Sequence, residues 1–557
     1  MKASTAMAEI LVKEGIPFIT AFPGGGPQSP VSQIVNEMSK RGVRTILPRT
    51  ERGVINIADG YARISGKVGV CSLYEGPGVE NAFPGVAQAG ADGSPVLVLA
   101  GQAPRAMMAY DAANNDVDGT FLYLKTVKWL SRANVAEDIP YLLRRAFTNM
   151  RTGRPGPVYL ELVFDTVTEE LDDSVLSYDP VKGWRTGGDP KDVESAVKAF
   201  LAADRPLIYA GQGILYARAW DELKEFAELV QAPVMTTLNG KSSFPENHLL
   251  SVGGGGRSGI PDLQYFFNEA DLVFGIGASF SKGPGAGMQR GTKYIQSVVE
   301  GTDVNKSQAV DYVVMGDAKL VLRQVIDEVK RQTNGNRREV NEQLIKEIKH
   351  AKEKWLKKWM PKLASDEVPI NPYRLVRDMV DTLDPNTTII THDAGWPREQ
   401  LVPFWTATVP RGYLGWGHHS VLGFSVAATI GAKLAEPEKT CVCFTGDGAF
   451  GEGGIEFETA ARYNIPILVI IPNNGGLGHY EMDTPTLNVL GGDYAKIAEA
   501  MGAYGERVES PEEIVPAFKR ALKALESGQP ALLDVICKRE WANQESGFDA
   551  RAPKSQV

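Results

Sequence analysis

The chain has 557 residues, 43% of them hydrophobic and 23% charged, with a formal net charge of −9. Three domains is the expectation at this length, since one core stops growing well before it, and the composition is that of a globular protein. The acidic balance excludes a non-specific nucleic-acid binder, which needs a basic face, and no apolar run approaches the length of a membrane span.

The N-terminal stretch MKASTAMAEILVKEGI is interrupted by Glu9, Lys13 and Glu14, so it reads as a helix and not as a signal peptide. Apolar spacing then predicts strand PFITAF running into a glycine turn, helix VSQIVNEMSKRG, strand VRTILP and helix ERGVINIADGYARISG. Strand VGVCSLYEGPG, a helix from Glu80 to Asp92 and strand PVLVLAGQ follow; helix IPYLLRRAFTNM and strand PVYLELV close a first domain, 1–170. The polar connector DDSVLSYDPVKGWRTGGDP reads as a linker. A second domain, 188–335, opens on strand PLIYAGQGI and continues through helix WDELKEFAELV, strand PVMTTL, a strand with a glycine turn (LVFGIGASF), YIQSVVEGTDVNK and helix KLVLRQVIDEVKRQ. Residues 336–370 hold a charge-rich connecting helix, read as solvated. A third domain, 371–540, contains strand TTIITHDAG, and the polar residues 541–557 form a tail, a candidate active-site lid. Strands alternating with helices predict an α/β fold of three doubly wound parallel-sheet domains. The four cysteines (Cys71, Cys441, Cys443 and Cys537) read as buried thiols in a cytoplasmic protein, with neither a disulfide frame nor a zinc site.

The richest chemistry lies in Gly446-Asp447-Gly448-Ala449-Phe450, followed one crossover later by Pro472-Asn473-Asn474-Gly475-Gly476. TCVCF before the first motif and IPILVII before the second read as parallel strands joined by the helical run IEFETAARYNI. Asp447 and Asn474 then stand at carboxyl ends of strands, where ligands collect. A carboxylate, an amide oxygen and a tight glycine-rich turn suit a hard cation. Each piece alone also reads as an ordinary strand-end turn.

A GDG followed by NN at this distance resembles the signature of the thiamine-diphosphate enzymes, and the resemblance runs through nearly the whole chain. It implies Mg²⁺ held by Asp447, the Asn474 side chain and the Gly476 carbonyl. The metal would anchor the diphosphate of thiamine diphosphate, with Gly446, Gly448 and Ala449 assisting at the helix start. TERGVINIADGYAR resembles the segment carrying the cofactor-activating glutamate, which makes Glu51 the catalytic residue. In the family this carboxylate stabilises the imino tautomer of the aminopyrimidine ring, which removes the thiazolium C2 proton. Glu51 also reads as an ordinary acidic first-turn residue behind the Thr50 cap. In GHHSVLGFSVAATIG the match to the bulky residue that bends the cofactor is Leu422, which reads equally as plain packing, with the Ser420 carbonyl as partner of the amino group. Pro23, Asn81 of GPGVENAFPG, and Asp393, Gly395 and Trp396 of the loop after TTIIT match further cofactor contacts. With Glu51 and Asp447 in different domains, and family sites built from two chains, a dimer or tetramer is implied.

GDGAFGEGGIEFETAARYNIPILVIIPNNGG is most similar to the oxalyl-CoA decarboxylase and 2-hydroxyacyl-CoA lyase branch. AGQGILYARAWDE resembles its adenine-nucleotide turn, and Gln544-Glu545-Ser546-Gly547 with Pro553-Lys554 its closing tail. Arg154, Gln212 and Asp303 would then meet an ADP or a CoA adenosine, with FAD the other candidate for that domain; the same residues also read as features of the fold. Asn114-Asn115-Asp116-Val117-Asp118 stands where an oxalyl-CoA decarboxylase carries a tyrosine and a glutamate, which counts against oxalyl-CoA itself. Asn115 is a candidate substrate contact, and His418, His419 and His479 are candidates for acid–base work near neutral pH, each reading also as merely solvated. The favoured expectation is a 2-hydroxyacyl-CoA lyase, cleaving its substrate to an aldehyde or ketone plus formyl-CoA, and running the reverse condensation. The alternative is an acetolactate synthase-type 2-oxoacid decarboxylase or carboligase, because GPG and ADGSPVLVLAGQ resemble that type. A nicotinamide enzyme is disfavoured, since no G-x-G-x-x-G follows a strand with an acid at the right distance.

Overall fold

In each of three parallel six-stranded sheets the apolar runs of the sequence become strands buried on both faces. The computed structural model describes residues 1–108, 117–255, 258–281, 291–477 and 488–540. From edge to edge the first sheet runs Arg44–Ile46, Phe18–Phe22, Gly69–Leu73, Val96–Gln102, Val158–Val163, Trp129–Ala133. The third repeats that topology with Tyr413–Leu414, Thr388–His392, Thr440–Phe444, Ile467–Asn473, Ala531–Ile536, Tyr504–Val508. The middle sheet differs: Ser251–Gly254, Val234–Thr236, Pro206–Ala210, Leu272–Ile276, Lys293–Val298, Tyr312–Met315, which is the 3-2-1-4-5-6 order of dinucleotide-binding folds. In such sheets ligands settle outside the strand carboxyl ends where the winding reverses. The reversal falls beside Pro23 in the first sheet, at Gly211 and Gly277 in the second, and at Asp393 and Gly446 in the third.

The first and third sheets are joined through helices Glu51–Ser65 and Ser425–Ala435. They cross closely because two glycines sit at the contact. A Cβ on Gly60 would fall on the Ala428 carbonyl oxygen, and one on Gly431 on that of Ile57. The Glu51 helix is capped by Thr50, whose side chain accepts the Gly53 amide at 2.9 Å, and ends on Gly66 in the left-handed region.

Several elements differ from the sequence expectation. The helix expected from Glu80 begins at Pro77, since proline is well placed in a first turn. The edge strand Trp129–Ala133 mixes polar with apolar residues and was not expected. Two helices, Asp447–Gly453 and Glu456–Arg462, replace the single crossover helix. The connecting helix, Glu342–Leu363, is not solvated all round: Ile348, Trp355, Trp359 and Leu363 form a buried face. All four cysteines are free and buried, and no helix among the described residues is long and apolar enough to cross a membrane.

Candidate active site and central-domain cavity

At the carboxyl edge of the third sheet, Asp447 follows strand Thr440–Phe444 and Asn474 follows the adjacent Ile467–Asn473. The Asp447 carboxylate is almost wholly buried and accepts the Gly448 amide at 2.9 Å and the Gly476 amide at 3.1 Å. Burial raises its pKa, and those amides pull it back only in part. The Asn474 Oδ1 is buried with no hydrogen-bond donor. An orphaned amide oxygen costs free energy, and here it lies in the same turn that binds Asp447. Two hard oxygens lacking sufficient donors are what a divalent cation satisfies, so the residues fit Mg²⁺. Neighbouring Asn473 is engaged at both ends: its oxygen accepts the Gly475 amide at 3.2 Å and its NH₂ donates to Asp534 at 2.9 Å.

The Asp393 carboxylate is fully buried and committed. It accepts the Ala394 amide at 2.7 Å, the Gly423 amide at 3.2 Å and both the amide and hydroxyl of Ser425, at 3.0 and 2.6 Å. Asp393 thus shapes the loop in front of the Ser425 helix; an ionised carboxylate that only accepts offers a diphosphate no donor. Gly395 adopts a φ of +90°, which gives the exposed turn into Trp396 its course. Leu422 is half-buried on that loop and packs at the rim of the core, while Ser420, His418 and His419 are exposed. His392 is a different case: buried, with Nδ1 against the Asp393 carbonyl at 3.0 Å, its pKa is lowered by desolvation to about 3. It is a neutral structural residue and no acid–base group.

Glu51 opens its helix half-exposed, and the Asn81 amide donates to its Oε2 at 3.4 Å. Pro23 is exposed at the end of Phe18–Phe22 in the same sheet. Glu456 holds this helix start in place. Its buried carboxyl accepts the amides of Arg49 and Thr50, both at 2.9 Å, and the Thr50 hydroxyl at 2.7 Å. Arg52 donates to the Leu422 carbonyl at 3.2 Å, tying the Glu51 helix to the Leu422 loop.

The winding reversal of the middle sheet opens into a cavity of about 320 Å³ bounded by Gln212, Gly213, Gly277, Ala278, Arg154 and Asp303. All three residues expected at a nucleotide therefore meet in one space. Arg154 reaches across from the first domain to Asp303 at 3.3 Å, and Lys306 joins at 3.2 Å. Gly277, with φ +62°, packs backbone to backbone on Gly213, leaving no room there for a side chain. Asn115, His479 and the tail 541–557 lie outside the described residues.

Sequence reasoning missed Asp92. This carboxylate is fully buried at the end of helix Pro77–Asp92 and accepts from Arg63 (3.2 Å), Gln88 (2.6 Å), Asn239 (3.1 Å) and the amides of Gly417 (3.1 Å) and His418 (3.0 Å). Burial would raise its pKa, but Arg63, the His418 ring nitrogen at 3.5 Å and the His418 amide hold it well below the usual carboxylate range. One carboxylate joins the three sheets' territories and borders the central-domain cavity. An acid in the last turn of a helix opposes the macrodipole, and that was the one local signal.

Three family models match in order: the thiamine pyrophosphate enzyme N-terminal TPP binding domain over residues 1–121, its central domain over 193–325 and its C-terminal TPP binding domain over 393–535. A probable acetolactate synthase large subunit of Methanococcus aeolicus is 33% identical, covering 96% of this chain and 92% of that protein. The glyoxylate carboligase of Escherichia coli O157:H7 is 29% identical over 97% of this chain and 93% of its own. The crystal structure of benzoylformate decarboxylase from Polynucleobacter necessarius superposes with a TM-score of 0.83 over 97% of this chain and 99% of that one, at 21% identity.

Proposed function

The chain belongs to the thiamine pyrophosphate enzyme family, and from that premise we propose that it is a Mg²⁺-dependent carbon–carbon lyase and ligase. The observation that carries the metal assignment is the buried Asn474 oxygen without a donor beside the buried Asp447 carboxylate. In this reading Asp447, Asn474 and the Gly476 carbonyl hold Mg²⁺, and Gly446, Gly448 and Ala449 line the diphosphate. When bound, thiamine diphosphate supplies a carbon nucleophile that can store the charge left by a broken carbon–carbon bond. Glu51 holds a proton between its carboxylate and the ring nitrogen of the cofactor, oriented by Asn81. Leu422 fills space beneath the cofactor and keeps water out, and Ser420 offers its carbonyl to the amino group. Pro23, Gly395 and Trp396 complete the wall. Glu51 and Asp447 belong to different sheets, which supports a site shared between chains of a dimer or tetramer.

For the substrate, a 2-hydroxyacyl-CoA is supported by the cavity holding Arg154, Gln212 and Asp303, whose volume is in the range of small-molecule sites and whose position at a winding reversal suits an adenosine. ADP or FAD suits the same space. A second reading, a 2-oxoacid carboligase of acetolactate type, is supported by the names of the curated relatives. Purified protein given thiamine diphosphate and Mg²⁺, then offered a 2-hydroxyacyl-CoA and pyruvate side by side, separates the two. Thioester cleavage with pyruvate untouched is the expected result; pyruvate consumption alone overturns the lyase reading.

A further inference from the structure

A second cavity, of about 520 Å³, lies where the central domain, the Glu342–Leu363 helix and the third domain meet. None of the residues assigned above to cofactor, metal or nucleotide lines it. Its wall is largely apolar, with Trp355, Phe404, Trp405, Leu263 and Val402. The ionised groups in that wall do not balance. Glu246 is already committed: its two carboxylate oxygens each take the buried Lys241 ammonium at 2.6 Å, and one also takes the Ala407 amide at 2.8 Å. Asp381 pairs with Arg377 at 3.3 Å. Lys352 is left with the Glu246 backbone carbonyl, 3.1 Å from Nζ, and has no ion pair of its own among the described residues.

Burial lowers the Lys352 pKa, with Glu246 opposing that shift and Lys241 adding to it. The indole N–H groups of Trp355 and Trp405, both buried, have no acceptor either. The one charged group of the wall without an opposite partner among the described residues is thus a cation, set beside aromatic rings. A half-buried ammonium without a counterion is costly, and a charge-assisted bond to an anion relieves it. A purely inorganic anion would leave the aromatic surface unused, and a neutral hydrocarbon would leave the ammonium unpaired.

We propose that this cavity is a binding site for a small monocarboxylate with an aromatic body, its carboxylate on Lys352 and its ring against Trp355, Phe404 and Trp405. The test is calorimetric titration of the full chain with phenylacetate as the probe and benzyl alcohol as its neutral counterpart. Saturable phenylacetate binding is expected, weakened about tenfold or more for benzyl alcohol and for Lys352→Met, the loss of one charge-assisted bond. Gly254 lines the cavity and a Cβ there meets nothing closer than the Thr236 hydroxyl oxygen at 4.0 Å, so Gly254→Val adds bulk at the wall without a backbone clash and should abolish binding. Asp447→Ala should leave phenylacetate binding unchanged, because the proposed site does not include the metal turn. Equal affinity for phenylacetate and benzyl alcohol, retained affinity in Lys352→Met or Gly254→Val, loss in Asp447→Ala, or no saturable binding would each overturn the proposal. The benzyl alcohol comparison uses the unaltered protein, so it stands whether or not a variant folds.

Discussion

Replacing Asp92 with asparagine removes one charge and little volume, and the hydrogen bonds set what it costs. Oδ1 accepts from Asn239 and the His418 amide; Oδ2 accepts from Arg63, Gln88 and the Gly417 amide. An asparagine has one oxygen, so its NH₂ must face one of these two sets. Asn239 and Gln88 can adapt, since each has a side-chain carbonyl oxygen without a partner and can turn it toward the new donor. The backbone amides cannot. Whichever way the amide lies, Gly417 or His418 keeps a part-buried N–H facing another N–H, at about 1–3 kcal/mol. Arg63 also loses one of two carboxylates, keeping Asp59 at 2.7 and 2.8 Å. Breaking a buried pair outright costs about 3–5 kcal/mol; the surviving Asp59 pairing and the overlap of the two effects put Asp92→Asn near the lower end, about 3 kcal/mol.

The loss is local, so the assay should be local. Hydrogen exchange of a peptide spanning Gly417 and His418 is expected to speed up about a hundredfold in Asp92→Asn at neutral pH, at 1.4 kcal/mol per tenfold. The pH dependence has a definite sign. A carboxylate whose folded pKa is depressed stabilises the protein above its unfolded pKa, about 3.9, and that contribution fades as pH falls through the folded value. The gap between parent and variant is therefore complete at pH 7 and begins to close below about pH 4. Protection unchanged within a few-fold at pH 7 would refute the account of Asp92 as the clamp on this loop.

Glu51→Gln should retain thiamine diphosphate, measured by titration, while turnover falls by about a hundredfold or more, the scale of positioned acid–base catalysis; undiminished turnover removes Glu51 from its role. Asp447→Ala should lose Mg²⁺-dependent uptake of the cofactor while circular dichroism stays that of the parent, and tight uptake without metal would contradict the assignment. Gly60→Ala should destabilise by at least about 1–3 kcal/mol, read as a lower denaturation midpoint, because the added methyl meets the backbone of the Ser425 helix and no side chain can move aside.

How much of this was readable beforehand follows from where each residue's partners come from. Strands such as Ile467–Asn473 are buried on both faces, so their apolar runs are continuous and the α/β plan is visible in one dimension. Trp129–Ala133 escaped because an edge strand, half-exposed, has no such run. Asp447 and Asn474 were legible because each ends its own strand and sequence spacing carries both. The connecting helix was misjudged on its charge. Its buried residues, at 348, 355, 359 and 363, recur at helical spacing and could have been counted, and that face is what walls the second cavity.

Asp393 and Asp92 show the limit from two sides. Asp393 was singled out because its loop matches family cofactor contacts, but its oxygens are taken by Gly423 and Ser425, some thirty positions on. Asp92 was passed over although its donors arrive from the Glu51 helix, the central domain and the loop before Leu422. Both carboxylates act on the same stretch, one at 417–418 and the other at 423–425, with Ser420 and Leu422 between the two grips. That bracketing makes the loop a rigid platform: cutting either grip should free the segment between them, and cutting both should cost less than the sum of the single losses, since a loop released at one end has already surrendered part of the order the other end maintains.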